Sequence, residues 1–146
     1  MRRYLVVANQ TLAGHHLLEY VRQCLAAGPS WFFVLVPATP SQAQVVPGEG
    51  DAELLARRRL EGALARLRGE GASVVGAVGD PSPFRAVGDA FRDESFDEIV
   101  VSTLPAGTSR WLVEDLPHRL ARVTGLPVTH LVAERQPSQE SRVISA

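Results

Sequence analysis

Five short runs of apolar and β-branched residues alternate with longer segments of helical periodicity, and this alternation constrains the fold more than any other feature of the chain. The runs predict strands at 4–8, 31–36, 73–78, 98–102 and 128–132. Helices are predicted at 15–27, at 51–68, from Ser82 onward, and in a last segment that ends at Thr124 before Gly125. The first two strands are apolar throughout, which is typical of strands buried on both faces. The pattern therefore predicts an α/β fold with a parallel sheet and right-handed crossovers.

The chain of 146 residues, of which 45% are hydrophobic, is long enough for one domain with a sizeable core. We expect this domain to span 1–133, followed by a polar C-terminal tail, 134–146, that we expect to be flexible. The net charge of -1 favours neither nucleic acid nor a membrane as a partner. The basic and apolar start of the chain is interrupted at Asn9-Gln10, so it predicts a first strand and not a signal peptide, and we expect a cytoplasmic protein.

Several kinds of chemistry are excluded by the residue types that are present. The sequence contains no lysine, which excludes a Schiff base and a phosphate loop with a lysine. Its single cysteine, Cys24, falls on an apolar helical stripe and is predicted to be a buried thiol. No Ser-His-Asp arrangement, no carboxylate pair and no metal-binding spacing is evident, so we expect neither an enzyme nor a metal site.

Ligands of such sheets bind at the carboxyl ends of the strands, where the strand order reverses. The loops that follow the first and fourth predicted strands are then the candidate site, namely Asn9-Gln10 and 102–110. Two other sets of polar residues are predicted to have structural roles. His15 and His16 are predicted to have a surface or helix-start role. Arg57-Arg58-Arg59 is predicted to be a solvated helix face, with an anion or RNA patch as the alternative.

Segments 4–9, 79–81, 96–103 and 125–128 together resemble the universal stress protein family, in order and spacing, over nearly the whole chain to about Val132. The resemblance implies a doubly wound, five-stranded sheet of order 3-2-1-4-5 with helices on both faces, similar to the adenine-nucleotide alpha-hydrolases. It also implies frequent dimers and, in one subset of the family, ATP binding.

The ATP-binding subset carries Gly-x2-Gly-x9-Gly-Ser/Thr after the fourth strand, where the glycines let the backbone approach the phosphates. This sequence has Ser102, Pro105, Asp115 and Leu116 at those four positions. Pro105 also lacks an N–H to donate. The resemblance implies an acidic nucleotide contact after the first strand, and here that residue is Asn9. Asp115 is predicted to cap a helix with its carboxylate and to repel a phosphate, which would block the phosphate end of the site.

The sequence thus predicts a stress-protein-like binding or regulatory module without catalysis or cofactor and with a degraded nucleotide site. The alternative is a divergent member that binds ATP, AMP or a small anion through the loop 102–110. A weak nucleotide hydrolase is the third hypothesis. The candidate ligand-binding residues are Asn9, Gln10, Gly79, Asp80, Ser102, Thr103, Gly107, Thr108, Ser109 and Arg110.

The fifth predicted strand is an edge in the order 3-2-1-4-5, and an unprotected edge offers free backbone groups to another chain. We expect a homodimer in which this strand pairs with its copy about a twofold axis. The residues expected at the interface are Val128, His130, Leu131 and Val132. The alternative is that the tail after Ala133 folds back over the edge.

Overall fold

Strands and helices alternate along the computed structural model, which describes residues 1–40, 49–105, 110–113, 115–133 and 143–145. The strands are β1 (Arg2–Val7), β2 (Ser30–Pro37), β3 (Ser73–Gly79), β4 (Glu98–Thr103), β5 (Val128–Ala133) and β6 (Val143–Ser145). The helices are α1 (His15–Ala27), α2 (Glu49–Gly69), α3 (Pro83–Asp93), α4 (Arg110–Val113) and α5 (Leu116–Thr124).

The described strands form one sheet in the order β3-β2-β1-β4-β5-β6. The first five are parallel to their neighbours, with Val6 of β1 level with Val34 of β2 and with Val100 of β4. The predicted fold class, a doubly wound sheet of order 3-2-1-4-5, is therefore confirmed. The order reverses at β1, so the crevice between the carboxyl ends of β1 and β4 is the expected place for a ligand.

Both faces of the sheet are buried, as the continuous apolar strands predict. On one face, Tyr4 and Val6 of β1 belong to a core that α1 and α2 cover. On the other face, Leu5 and Val7 belong to a core that α3, α4 and α5 cover. Successive side chains of a strand point to opposite faces, so a strand covered on both sides has no polar position in its middle.

Two helix ends follow from the local sequence. Ser82 caps α3, because its hydroxyl accepts a hydrogen bond from the Arg85 N–H, and Pro83 fills the first helical position. Gly125 ends α5 in the left-handed region at φ 72°, where glycine carries no Cβ penalty. Ser82 thus starts α3 just after the carboxyl end of β3, and Gly125 ends α5 just before β5 starts.

The outer edge of β5 is occupied within the same chain. Residues 143–145 of the predicted tail form β6, which pairs antiparallel with β5 and places Ile144 level with Val132. This arrangement is the alternative stated in the sequence analysis, in which the tail after Ala133 folds back over the edge of β5. A dimer through β5 stays a prediction, and it requires that β6 leave that edge.

None of the helices in the described part of the chain has the length and apolar character needed to span a membrane.

Candidate functional site

The carboxyl ends of β1 and β4 meet at the β1–α1 turn, which we define as residues 9–14. The turn is closed by two backbone hydrogen bonds, from Leu12 N–H to Asn9 O at 3.2 Å and from Gly14 N–H to Thr11 O at 2.9 Å. β1 and β4 are adjacent and in register, so the turn lies beside Ser102 and Thr103 at the end of β4. The structure thus brings the turn that carries Asn9 and Gln10 next to Ser102 and Thr103, as the sequence predicts.

A buried cluster of three polar side chains joins the turn to β4. The Ser102 hydroxyl lies 2.5 Å from the Thr11 hydroxyl and 2.8 Å from Nε2 of His16. Thr11 is 5% exposed, Ser102 1% and His16 0%. The cluster therefore fills the place between the two strand ends with side chains of the protein itself.

His16 lies at the start of α1, which is one of its two predicted roles, but it is fully buried and not at the surface. Burial, together with the neighbouring charge of His15, lowers its pKa. Gly14 makes the ring position possible, because a Cβ at Gly14 would lie 2.3 Å from Cε1 of His16. A glycine two residues before a histidine at a helix start is the one sequence signal that could have indicated this packing.

Ser102 and His16 are at the distance of a nucleophile and its base. However, Nδ1 of His16 has no hydrogen-bond partner, so no carboxylate orients the ring. Both side chains are also closed to solvent. This geometry holds the crevice together and does not present a reacting atom to a substrate.

The Asn9 side chain points toward β2 and uses both ends of its amide. Its Nδ2 donates to the Pro37 carbonyl at 2.8 Å, and its Oδ1 accepts from Nη1 of Arg59 at 2.5 Å. Asn9 is 6% exposed, whereas Gln10, its neighbour, is exposed at the turn. Arg59 is partly buried, so the prediction of a solvated face is wrong for this member of the arginine run. Burial lowers the pKa of its guanidinium.

Gly79 and Asp80 border a second space. They follow β3 and line an open cavity of about 610 Å³ between β2, β3 and α3. Asp80 accepts a hydrogen bond from the Ser82 N–H at 2.8 Å, which orders the start of α3. This cavity is lined by four carboxylates, those of Glu53, Asp80, Asp89 and Asp93. Asn9 and Ser102 do not line it, so the predicted residues do not form one cleft.

The rest of the predicted loop is only partly described. Thr103 is 2% exposed, and its hydroxyl lies 2.8 Å from Nε2 of His130. Burial and the charge of His118 lower the pKa of His130. Gly107, Thr108 and Ser109 lie outside the described residues, as does the side chain of Arg110, the first residue of α4.

Asp115 precedes α5, as predicted, but its carboxylate does not cap the helix. The residue adopts the left-handed conformation at φ 55° and ψ 45°, and its side chain makes no capping hydrogen bond. Its Oδ1 instead lies 2.7 Å from Nδ1 of His118, at an exposed position. The predicted side-chain cap is therefore wrong, because the backbone at Asp115 turns the carboxylate toward the next turn of the helix.

A buried carboxylate that the sequence did not single out lies at the opposite edge of the sheet. Glu98, at the start of β4, accepts hydrogen bonds from Arg2 at 2.9 Å, Tyr20 at 2.6 Å and Thr129 at 2.8 Å. Burial by itself raises the pKa of Glu98, but these donors outweigh it and the pKa is lowered. Because both carboxylate oxygens are engaged, Glu98 ties the chain start and α1 to the sheet. Among the residues that the structure describes, no group of three His, Cys, Asp or Glu side chains could hold a metal ion.

No model of a known protein family matches the sequence, and no curated protein matches it. A solved structure does match: a protein from the universal stress protein family of Burkholderia pseudomallei. The two structures superpose with a TM-score of 0.55 and 17% sequence identity, over 88% of this chain and 93% of that one. At this identity the match shows a shared fold.

Proposed function

We propose that this chain is a stress-protein-like binding or regulatory module that works without catalysis and does not bind ATP in the way of the family's nucleotide-binding subset. One observation carries the proposal: the crevice between β1 and β4 is filled by the protein's own hydrogen-bonded side chains. Thr11, His16 and Ser102 occupy its centre, and Asn9 is bonded on both sides. The shared fold supports the comparison with stress proteins. We also propose that the module works in the cytoplasm.

The nucleoside end of a nucleotide would meet the Asn9 amide, whose short hydrogen bonds on both sides are made within the protein. A ligand that used the same bonding positions would have to displace the bonds to Pro37 and to Arg59. Hydrogen bonds to charged groups contribute about 1.5–3 kcal/mol each, so the loss of the Arg59 bond alone costs a ligand at least tenfold in affinity. Asn9 therefore disfavours adenosine by being already occupied.

The phosphate end departs from the glycine motif at the positions that the structure describes. Pro105 has no N–H, and Ser102, which replaces the first glycine, is engaged with Thr11 and His16. The alternative of a site in the loop 102–110 loses support from the same contacts, because the hydroxyls of Ser102 and Thr103 bond within the protein.

Isothermal titration with ATP, adenosine and inorganic tripolyphosphate, each with and without magnesium, tests this proposal. We expect no binding of adenosine and no tighter binding of ATP than of tripolyphosphate, because no group recognises the nucleoside. A dissociation constant for ATP in the micromolar range, about tenfold or more below that of tripolyphosphate, would show nucleoside recognition and refute the proposal.

The homodimer is a further part of the proposal. The edge of β5 that it uses carries β6 of the same chain, so we propose that two chains associate by exchanging or releasing β6. The three-residue length of β6 supports this, since a short strand contributes few hydrogen bonds that must be broken. Pairing of β5 with its copy would satisfy the same backbone groups.

A further inference from the structure

Helix α2 directs two arginines at the β1–α1 turn. Nη1 of Arg59 donates to Oδ1 of Asn9 at 2.5 Å, and Nη2 of Arg66 donates to the Leu12 carbonyl at 2.7 Å. The two arginines are seven residues apart, which places them on one face of the helix, two turns from each other. Asn9 and Leu12 are the two ends of a single hydrogen-bonded turn. Two positive charges therefore converge on four residues of chain.

Neither guanidinium has a carboxylate partner among the described residues, and both acceptors are neutral oxygens. Other arginines of the protein are paired: Arg2 with Glu98, Arg3 with Glu94 and Arg22 with Glu70. Arg68 also donates to a neutral oxygen, the Val74 carbonyl, so Arg59 and Arg66 are distinguished by donating to the same turn. Burial of Arg59 makes an unneutralised charge there more unfavourable, and it lowers the pKa of the group.

The sequence offers Arg59 no acidic partner, and Glu70, four residues after Arg66, is paired with Arg22 at 2.8 Å instead. The turn, Asn9–Gly14, contains no acidic residue. The positions three and four residues from Arg59 on α2 are Leu55, Ala56, Gly62 and Ala63, so no helical ion pair is available to it.

Gly62 leaves space between the two arginines. It lies three residues after Arg59 and four before Arg66, on the same side of α2. A Cβ built there would have one neighbour within 4 Å, Nη1 of Arg66 at 3.7 Å. Glycine is disfavoured in the middle of a helix, and a larger residue would fit at position 62. Packing therefore does not explain why glycine stands beside the Arg66 guanidinium.

We propose that Arg59 and Arg66 form a binding site for a phosphate-type oxyanion at the β1–α1 turn, seated beside Gly62. The inference deepens the proposed function, on which it rests, by naming the ligand class of the binding module. Two guanidinium groups offer forked donors that match the oxygens of a phosphate group. The exposed Gln10 marks the solvent side of the turn, from which the ligand enters. The recognised chemistry is the phosphate group, whether free or carried by a small phosphomonoester.

The test is titration of the full chain at low ionic strength with inorganic phosphate and, in a second arm, glycerol 3-phosphate. We expect Arg59→Gln and Arg66→Gln each to weaken binding of the better ligand by about tenfold or more, as for the loss of a charged hydrogen bond. Arg58→Gln is the matched control, because it removes the same charge from the neighbouring, exposed position of α2. We expect it to change binding by less than about twofold, since among the described residues Arg59 and Arg66 donate to the turn and Arg58 does not. The probe that binds more tightly shows whether the site takes free phosphate or a phosphomonoester.

Gly62→Glu supplies a carboxylate between the arginines, so it is expected to abolish phosphate binding while raising the melting temperature measured without phosphate. Arg59→Lys, which keeps the charge, is expected to retain weakened binding and guards against loss of folding in Arg59→Gln. The site is refuted if the wild-type chain binds neither probe, or if Arg58→Gln weakens binding as much as Arg59→Gln does. Adenosine binding would overturn the proposed function and leave this site standing, whereas absence of phosphate binding would do the reverse.

Discussion

Replacing Ser102 with alanine is expected to destabilise the fold well beyond what the loss of one hydroxyl costs at a surface. The Ser102 hydroxyl is the shared partner of Thr11 at 2.5 Å and of His16 at 2.8 Å, and all three side chains are at most 5% exposed. After the substitution, neither ring nitrogen of His16 has a partner, because Nδ1 has none already. The Thr11 hydroxyl is left unpaired as well.

A buried polar group that loses its partner costs about 1–3 kcal/mol, so two such groups give about 2–6 kcal/mol. Rotation of the Thr11 hydroxyl relieves part of this cost, and we expect a loss of about 3 kcal/mol in the free energy of unfolding. Urea denaturation followed by far-UV circular dichroism measures it. Ser73→Ala is the matched control, since it makes the same change at an exposed strand position, and it is expected to stay within about 0.5 kcal/mol of wild type.

A double-mutant cycle separates the cluster from a simple packing defect. Thr11→Val removes a hydroxyl at nearly constant volume, so Thr11→Val combined with Ser102→Ala leaves only His16 unpaired. The double variant should be more stable than the sum of the single losses predicts, by about 1 kcal/mol or more. Additive losses, or a loss below about 0.5 kcal/mol for Ser102→Ala, would show that the buried cluster does not hold the crevice together.

Two further predictions concern pH and association. The pKa of buried His16 lies below its ordinary 6.5, so the unfolded chain protonates this histidine at a higher pH than the folded chain does. The contribution of neutral His16 to the free energy of unfolding is therefore fully present above pH 6.5. It falls by about 1.4 kcal/mol per pH unit as the pH is lowered from 6.5 toward the pKa of the folded state. Denaturation at pH 7.5, 6.0 and 5.0 should show a shallower fall for His16→Gln, and an equal slope would exclude His16 as the cause. A chain that ends at Ala133 exposes the edge of β5 and should dimerise more strongly than the full chain. Sedimentation of both chains measures this, and a chain ending at Ala133 that stays monomeric would contradict it.

The sheet could be predicted because each strand carries its own signal. A strand covered on both faces is apolar through its middle, as residues 4–7 of β1 and 99–101 of β4 show, and no contact with a distant residue is needed to recognise it. β6 lacks such a signal, since it has three residues within a polar tail and is defined by its pairing with β5. Pairing of this kind depends on which edge is open and cannot be read from local periodicity.

The sequence could predict where the candidate site lies, but not which partners its side chains bind. Asn9 and Ser102 follow directly from strand ends, so the topology places them. The partners of these residues come from side chains whose direction depends on packing. Arg59 lies three residues after Ala56 and four before Ala63, both buried on α2, and this spacing was the signal that one arginine of the run faces inward. The departure of Asp115 from a side-chain cap depends on one backbone conformation, φ 55°, which the sequence Asp-Leu-Pro does not specify.

The neutral residue at position 9 connects the filled crevice with the anion site. An aspartate there would face the same Arg59 guanidinium and form a partly buried ion pair with it, which would neutralise the charge that α2 brings to the turn. An aspartate would also lack the N–H groups that Asn9 donates to the Pro37 carbonyl. The Asn9 amide donates to the Pro37 carbonyl and accepts from Arg59. Because the amide is neutral, it leaves the charge of the Arg59 guanidinium uncompensated. In the proposed function and the proposed phosphate site, Asn9 therefore has two effects: it offers no carboxylate to a nucleoside, and it leaves the positive charge of Arg59 available to a phosphate-type ligand.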